Sequence, residues 1–415
     1  MQVKTKYKKT EIGLIPEDWN IFPFCELGVA VDGDRGVNYP GQFDFFAQGF
    51  CLFLSAKNVT NKGFKFDDCI FISKKKDNQL NQGKLERNDV VLTTRGTVGN
   101  FAYFAPSVQF DNVRINSGMI ILRLKSSKLR HDFFYEVLKS QVLSVQIEKM
   151  VFGSAQPQLT ARDIKAFKIL VPPLPEQRAI ATALSDVDTL INSLDRLIAK
   201  KRDIKQATMQ QLLTGKTRLP GFKKKDGFKQ TEIGLIPEDW DLEPIDRLAL
   251  IATGSKNTQD KIEDAIYPFF VRSSVVERIN TFSFDGEAVL TAGDGVGTGK
   301  IFHYIKGKFD CHQRVYRMSD FSERVDGFYF YLYFSNNFYA RIMSMTAKSS
   351  VDSVRREMIA NMTIPLPLIN EQIAISEVLS DMDADLSRLT ERRDKTLLLK
   401  QGMMQELLTG RTRLV

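Results

Sequence analysis

The decapeptide 10-TEIGLIPEDW-19 returns unchanged as 231-TEIGLIPEDW-240, 221 residues later. Identity of this length marks an internal duplication, and a duplication outranks any local reading of helix or strand. Working outward, 90-VVLTTRGTVG-99 answers 288-AVLTAGDGVG-297 at an offset of 198, and Phe133 to Leu219 answers Phe328 to Leu414 at an offset of 195 without a gap. The copies close almost identically, with 212-LLTGKTRL-219 and 407-LLTGRTRL-414. They differ in length mainly between Trp19 and Val90. Each copy therefore has a constant lead, a variable body and a constant tail.

The tails read as long helices. The breakers 172-PPLP-175 and 365-PLPLIN-370 are each followed by Glu-Gln, and Gly215 and Gly410 stand where helices stop. Helices from Glu176 to Thr214 and from Glu371 to Thr409 would each be about 58 Å long. In the first, Ile180, Leu184, Val187, Leu190, Ile191, Leu194, Leu197 and Ile198 recur at three-and-four spacing; in the second, Ile375, Leu379, Met382, Leu386 and Leu389 do the same. Two such stripes predict a coiled coil. The expected helix–helix interface is Ile180, Leu184, Val187, Ile191, Leu194 and Ile198 against Ile375, Leu379, Met382, Leu386 and Leu389.

The bodies read as α+β. Strands are expected at 90-VVLTT-94, 119-MIILRLK-125 and 288-AVLTA-292, and a helix in each copy over 132–150 and 326–343. The expected organisation is a first body over 1–170 with its lead at 10–19, a spacer helix over 175–215 and a basic linker over 216–230. A second body over 231–368, with its lead at 231–240, and a second helix over 370–410 complete it.

A net charge of +8 and a pI near 9.1 point to an acidic polymer as partner. Four cysteines (Cys25, Cys51, Cys69, Cys311) and three histidines (His131, His303, His312) show no metal-ligand spacing, so no metal site is expected. The opening MQVKTKYKKTE has no apolar core of an export signal, and no apolar run approaches the roughly 18 residues of a spanning helix. A cytoplasmic protein without a membrane anchor is the expectation. Catalytic motifs are lacking as well. The stretch 293-GDGVGTGK-300 mimics a phosphate loop but has Asp294 where the first glycine belongs and Ile301 where Ser or Thr should bind magnesium. A tight glycine turn near a ligand backbone is the better reading.

What remains is recognition of nucleic acid through loops. Arg and Lys neutralise phosphates, and Arg, Asn and Gln carry the hydrogen-bonding geometry that reads base edges. In the first body the candidates are Arg35, Lys57, Asn58, Lys75, Arg95, Thr97, Asn100, Gln156 and Gln158. In the second they are Arg272, Ser273, Lys300, His312, Gln313, Arg314, Lys348 and Ser350.

The double lead, the helix openings 174-LPEQRAIA-181 and 369-INEQIAIS-376 and the LLTG closings together resemble the DNA-specificity subunit of type I restriction-modification systems. The resemblance spans essentially the whole chain. It implies two target-recognition domains, each reading one half of a bipartite double-stranded DNA sequence, spaced by an antiparallel helix pair with internal pseudo-twofold symmetry. It implies docking of two methyltransferase subunits and of restriction/translocase subunits, with S-adenosylmethionine, ATP and Mg on those partners and none in this non-catalytic chain. It also implies that each lead sits beside the far end of the other copy's helix. Three rivals remain open at this point: a self-contained enzyme, a protein–protein scaffold that binds no DNA, and a specificity subunit of a methylation-only or related type II system.

Overall fold

A computed structural model describes residues 6–151, 157–223, 225–345 and 353–414. The chain forms two compact units: residues up to Asp195 together with those from Glu391 onward, and Arg196–Thr390. Each unit thus holds one body, the first half of one long helix and the second half of the other. The helices run from Leu174 to Leu213 and from Ile369 to Leu407.

In the first unit the lead is a hairpin, Tyr7–Thr10 against Gly13–Pro16, turned with Gly13 at φ +117° and closed by Thr10 Oγ1 donating to the Gly13 carbonyl at 2.7 Å. The body has a four-stranded antiparallel sheet in the order Phe101–Tyr103, Val90–Thr93, Met119–Leu124, Gly28–Asp32. Beside it lies a three-stranded sheet in the order Val113–Ile115, Cys51–Leu54, Phe71–Ile72, its first pair parallel. Strand alternation splits the core. Val90, Leu92, Ile120 and Leu122 pack with Phe133, Phe134 and Val137, while Val91 and Ile121 pack with Leu52, Leu54, Val113 and Ile115. The single helix expected over 132–150 is two, His131–Leu138 and Gln141–Val151. Ser140 ends the first by donating its hydroxyl back to the Val137 carbonyl at 2.6 Å.

The second unit repeats the hairpin, Phe228–Thr231 against Gly234–Pro237, with the same hydroxyl bond from Thr231 to Gly234. Its body has one six-stranded sheet in the order Leu250–Thr253, Val315–Ser319, Phe284–Ala292, Phe302–Cys311, Tyr267–Phe270, Val276–Ile279. The strand Phe302–Cys311 does alone what Phe101–Tyr103 and Val113–Ile115 do in the first body: it pairs antiparallel on one side and parallel with Phe269–Phe270 on the other. Val289 and Met318 pack on Phe330, Phe334 and Phe338 of the helix Gly327–Ser344.

These registers correct the alignment of the bodies by one residue. Val90 and Leu92 face the helix in the first body, and so does Val289 in the second, whereas Ala288 and Leu290 face away. A one-residue slip exchanges the two faces of a strand. The equivalent residues are therefore Val90 and Val289, an offset of 199, although the letters match better at 198.

The constant segments meet within each unit. In the first, Arg413 donates Nε and Nη2 to the Glu176 carboxylate at 2.6 and 2.8 Å and Nη1 and Nη2 to Asp18 at 3.0 and 2.7 Å. Trp19 Nε1 donates to Glu176 at 2.9 Å. In the second unit Arg218 clamps Glu371 and Asp239 in the same way. The glutamine after each glutamate ties the helix to its body: Gln177 donates to the carbonyls of Lys128 and Pro172 and accepts from Arg130 N, and Gln372 does so with Arg324, Pro367 and Asp326. The repeated Asp-Trp, Glu-Gln and Thr-Arg-Leu are thus the parts of one joint, built twice.

Within each unit the helix halves are antiparallel. Lys400 bonds Asp188 and Arg393 reaches Asp195 in the first, while Lys201 and Lys205 reach Asp385 and Asp383 in the second; numbers rise along one helix as they fall along the other. The pair is the expected coiled coil, with its seam redistributed. Ile191, Leu194 and Ile198 are buried. Ile180 and Leu184, with Leu407 and Leu408, also belong to the first body's core, and Ile375 and Leu379, with Leu212 and Leu213, to the second's. Val187, Met382, Leu386 and Leu389 are half-buried, and Leu190 and Leu197 are each 40% exposed, so the apolar stripe is wider than the seam.

Candidate nucleic-acid interface

In each body several of the candidate residues meet at one edge, where three strand ends turn. In the first body these are the segment after Asp32, the turn 95–100 and the turn 116–118. In the second they are the segment after Thr253, the turn 294–301 and the turn 312–314. The strand ends are held by equivalent backbone bonds: Thr94 N to Gly118 O and Leu159 N to Thr94 O in one, Gly293 N to Arg314 O and Val354 N to Gly293 O in the other. The edge is tight. A Cβ on Gly33 would lie 2.3 Å from the Asn116 carbonyl oxygen, and one on Gly254 would lie 1.9 Å from that of Cys311.

At this edge of the first body, Arg35 donates to Asp32 and to the Ser117 carbonyl, both at 3.3 Å. Arg95 is exposed and bridges through its backbone to Gln158, also exposed. Thr97 is exposed; Asn100 donates to the Val59 carbonyl at 3.1 Å and so ties the turn to the segment carrying Lys57, which is exposed and paired with Asp68. Lys75 is exposed on the short helix Lys74–Gln79, whose last carbonyl accepts from Asn38. Asn58 leaves the candidate set. It is 1% exposed, and its amide bonds Ser55 N and the Lys65 and Asp68 carbonyls, holding its own turn. Gln156 lies outside the described residues.

In the second body, Asp294 stands between two exposed arginines, 2.9 Å from Arg272 Nη1 and 3.8 Å from Arg314 Nε. Gln313 Nε2 donates to Asn257 Oδ1 at 2.6 Å, and Lys300 lies over the Tyr339 ring. Ser273 is half-buried, its hydroxyl on the Val275 carbonyl and its own carbonyl 3.2 Å from His303 Nε2. His312 also leaves the set. It is 5% exposed, and its Nδ1 accepts from Arg314 N at 2.9 Å, so it holds the turn. Burial first, and then the charge of Arg272, depress its pKa below the ordinary 6.5 and favour the neutral ring this bond requires. Lys348 and Ser350 lie outside the described residues.

Composition missed three members of the edge. Asp294 orients arginines and cannot itself meet a phosphate. Val37 and Val296 are fully exposed, and an apolar letter after a glycine reads as turn filler. The edge offers cations and amides suited to a nucleic-acid groove. Among the described residues no group of His, Cys, Asp and Glu is placed to hold a metal, and no helix is long and apolar enough to cross a membrane. Burial pushes the Cys51 and Cys311 thiols up to about 12, which keeps both protonated.

Residues 16–202 and 237–399 match the type I restriction modification DNA specificity domain. The type I restriction enzyme MjaVIII specificity subunit of Methanocaldococcus jannaschii is 25% identical, over 96% of this chain and 94% of its own. The EcoDI specificity subunit of Escherichia coli is 28% identical over 42% of this chain and 38% of its own. Among solved structures, the S subunit of a type I system from M. genitalium superposes with a TM-score of 0.60 at 14% identity, covering 98% of this chain and 99% of that one. With both copies of its repeat matched, the chain belongs to the type I restriction-modification DNA specificity family.

Proposed function

We propose that the chain selects the DNA target of a type I restriction-modification complex, each body reading one part of a bipartite duplex sequence. The observation that carries this reading is the edge built twice: one backbone frame, held by matching bonds, presents Arg95, Thr97 and Ser117 in one body and Asp294, Val296 and Gln313 in the other. A frame that keeps its geometry while the side chains on it change is what two readers of different sequences need. Catalysis belongs to partners. Two methyltransferase subunits would supply S-adenosylmethionine chemistry, and restriction/translocase subunits would supply ATP- and Mg-dependent work. Leu197 and Ile204, 40 and 43% exposed and seven residues apart on the second unit's part of the first long helix, suit docking of a partner helix.

The test is duplex binding by the chain assembled with its modification subunits. Affinity should fall steeply with salt at every site, and one bipartite sequence should bind far more tightly than scrambled DNA. Assembly with the subunits but no preference among duplexes would leave a protein scaffold and overturn the reading. Methyl transfer by the lone chain would overturn the assignment of catalysis to partners.

A further inference from the structure

In the second body the turn between the strands Phe284–Ala292 and Phe302–Cys311 raises an apolar side chain into solvent. Val296 is 102% exposed. Gly295 before it has φ +82°, a conformation that suits glycine. Thr298 closes the turn beneath it, donating both its N–H, at 3.0 Å, and its hydroxyl, at 2.6 Å, to the Gly295 carbonyl. Thr298 itself is 4% exposed. The turn is fastened at both feet: Gly293 N donates to Arg314 O at 2.8 Å, Lys300 N to Gly297 O at 3.0 Å, and the Arg272 carbonyl lies 3.1 Å from where a Cβ on Gly297 would stand.

A lone exposed valine is ordinary on a protein surface. Its setting narrows its use. Asp294, two residues before it, holds the guanidinium groups of Arg272 and Arg314, and Lys300 follows four residues later. An apolar corner with a cationic rim is complementary to a DNA major groove, whose edges are phosphates and whose floor carries one apolar group, the 5-methyl of thymine. The first body has Thr97 at the equivalent corner, exposed and preceded by Gly96 at φ +71°. Threonine is nearly isosteric with valine and also presents a methyl.

Resting on the reading of this chain as a DNA specificity subunit, we propose that Val296 is a specificity-determining residue that packs against a thymine 5-methyl group in the half-site read by the second body. Arg272 and Arg314, oriented by Asp294, flank that contact.

The experiment uses the chain assembled with its modification subunits and its own mapped target. Each thymine of that target is replaced in turn by uracil, which lacks only the 5-methyl. One replacement in the second half-site should weaken wild-type binding by about fourfold, the scale of one buried methyl. Val296→Ala should weaken binding to the unaltered target by a similar factor and no longer distinguish thymine from uracil there. Val296→Thr should keep the distinction, and replacements in the first half-site should affect all three proteins equally. The proposal is overturned if no uracil in the second half-site matters to the wild type, or if Val296→Ala still discriminates at every position. Loss of subunit assembly in Val296→Ala with DNA discrimination intact would make the corner a protein contact instead. Failure of the wild type to prefer any duplex would bring down the underlying functional reading and is distinct from all of these.

Discussion

Two turns, one in each body, make the same hydrogen bond with different residues. In the first, Asn116 Oδ1 accepts from Gly118 N at 2.9 Å; in the second, His312 Nδ1 accepts from Arg314 N at 2.9 Å. The joints between lead and helix do the opposite, repeating Asp, Trp, Glu, Gln and Arg letter for letter. The difference is physical. A clamp in which a guanidinium meets two carboxylates accepts only those side chains, whereas a turn that needs one acceptor accepts any residue that places an acceptor there. Identity persists where side chain meets side chain, and in the two glutamines whose amides each bridge two carbonyls and an N–H. Where the backbone makes the frame, the letters are free to change and the exposed positions can be retuned.

The largest expected effects break the joints. Arg413→Ala leaves Glu176, 1% exposed, without its cation, and should destabilise the first unit by about 3–5 kcal/mol. Arg218→Ala should cost the second unit more. Glu176 keeps the Trp19 indole N–H, while Trp240 Nε1 has no hydrogen-bond partner among the described residues. The chain has two tryptophans, one at each joint. Urea unfolding followed by fluorescence in Trp19→Phe and Trp240→Phe backgrounds would therefore resolve the units, and equal losses would erase the asymmetry between them.

A smaller effect tests the shared frame. Gly33→Ala and Gly254→Ala each push a methyl onto a backbone carbonyl and should cost about 1–3 kcal/mol in their own unit. The same measurement would show it, and a neutral result at either position would mean the two edges are not held alike.

The smallest effect separates the two turns by pH. The depressed pKa of His312 means the native state binds fewer protons than the unfolded chain. Its contribution is present above the unfolded value near 6.5 and is lost as pH falls below it toward the folded value. His312→Asn, which copies the first body's solution, should flatten part of the acid-side loss in the second unit. Burial also depresses His303, which retains the remainder. An unchanged pH profile would show that His312 does not couple protonation to the turn.

The same distinction explains what the sequence revealed. The duplication and the helices were legible in repeated letters and apolar spacing, whereas the joints were placed only by the family resemblance, since no local pattern pairs Arg413 with Glu176 and Asp18 across the length of the chain. The bodies were legible only in class. Their strand registers depend on which face is buried, so matching letters aligned Val90 with Ala288 instead of Val289. Asn58 and His312 had the composition of readers but turn inward to hold loops, and loop sequence alone does not tell an inward amide from an outward one. Val296 was hidden for the converse reason, since an apolar letter between glycines carries no sign of its exposure.

The central claim is that each body reads its own part of the target. Its most direct test replaces residues 241–368 with the corresponding body of another family member, assembles the hybrid with the modification subunits and maps methylated bases across a genome. One half of the recognised sequence should change completely while the other keeps every base. A change in both halves together, or in neither, would contradict the account.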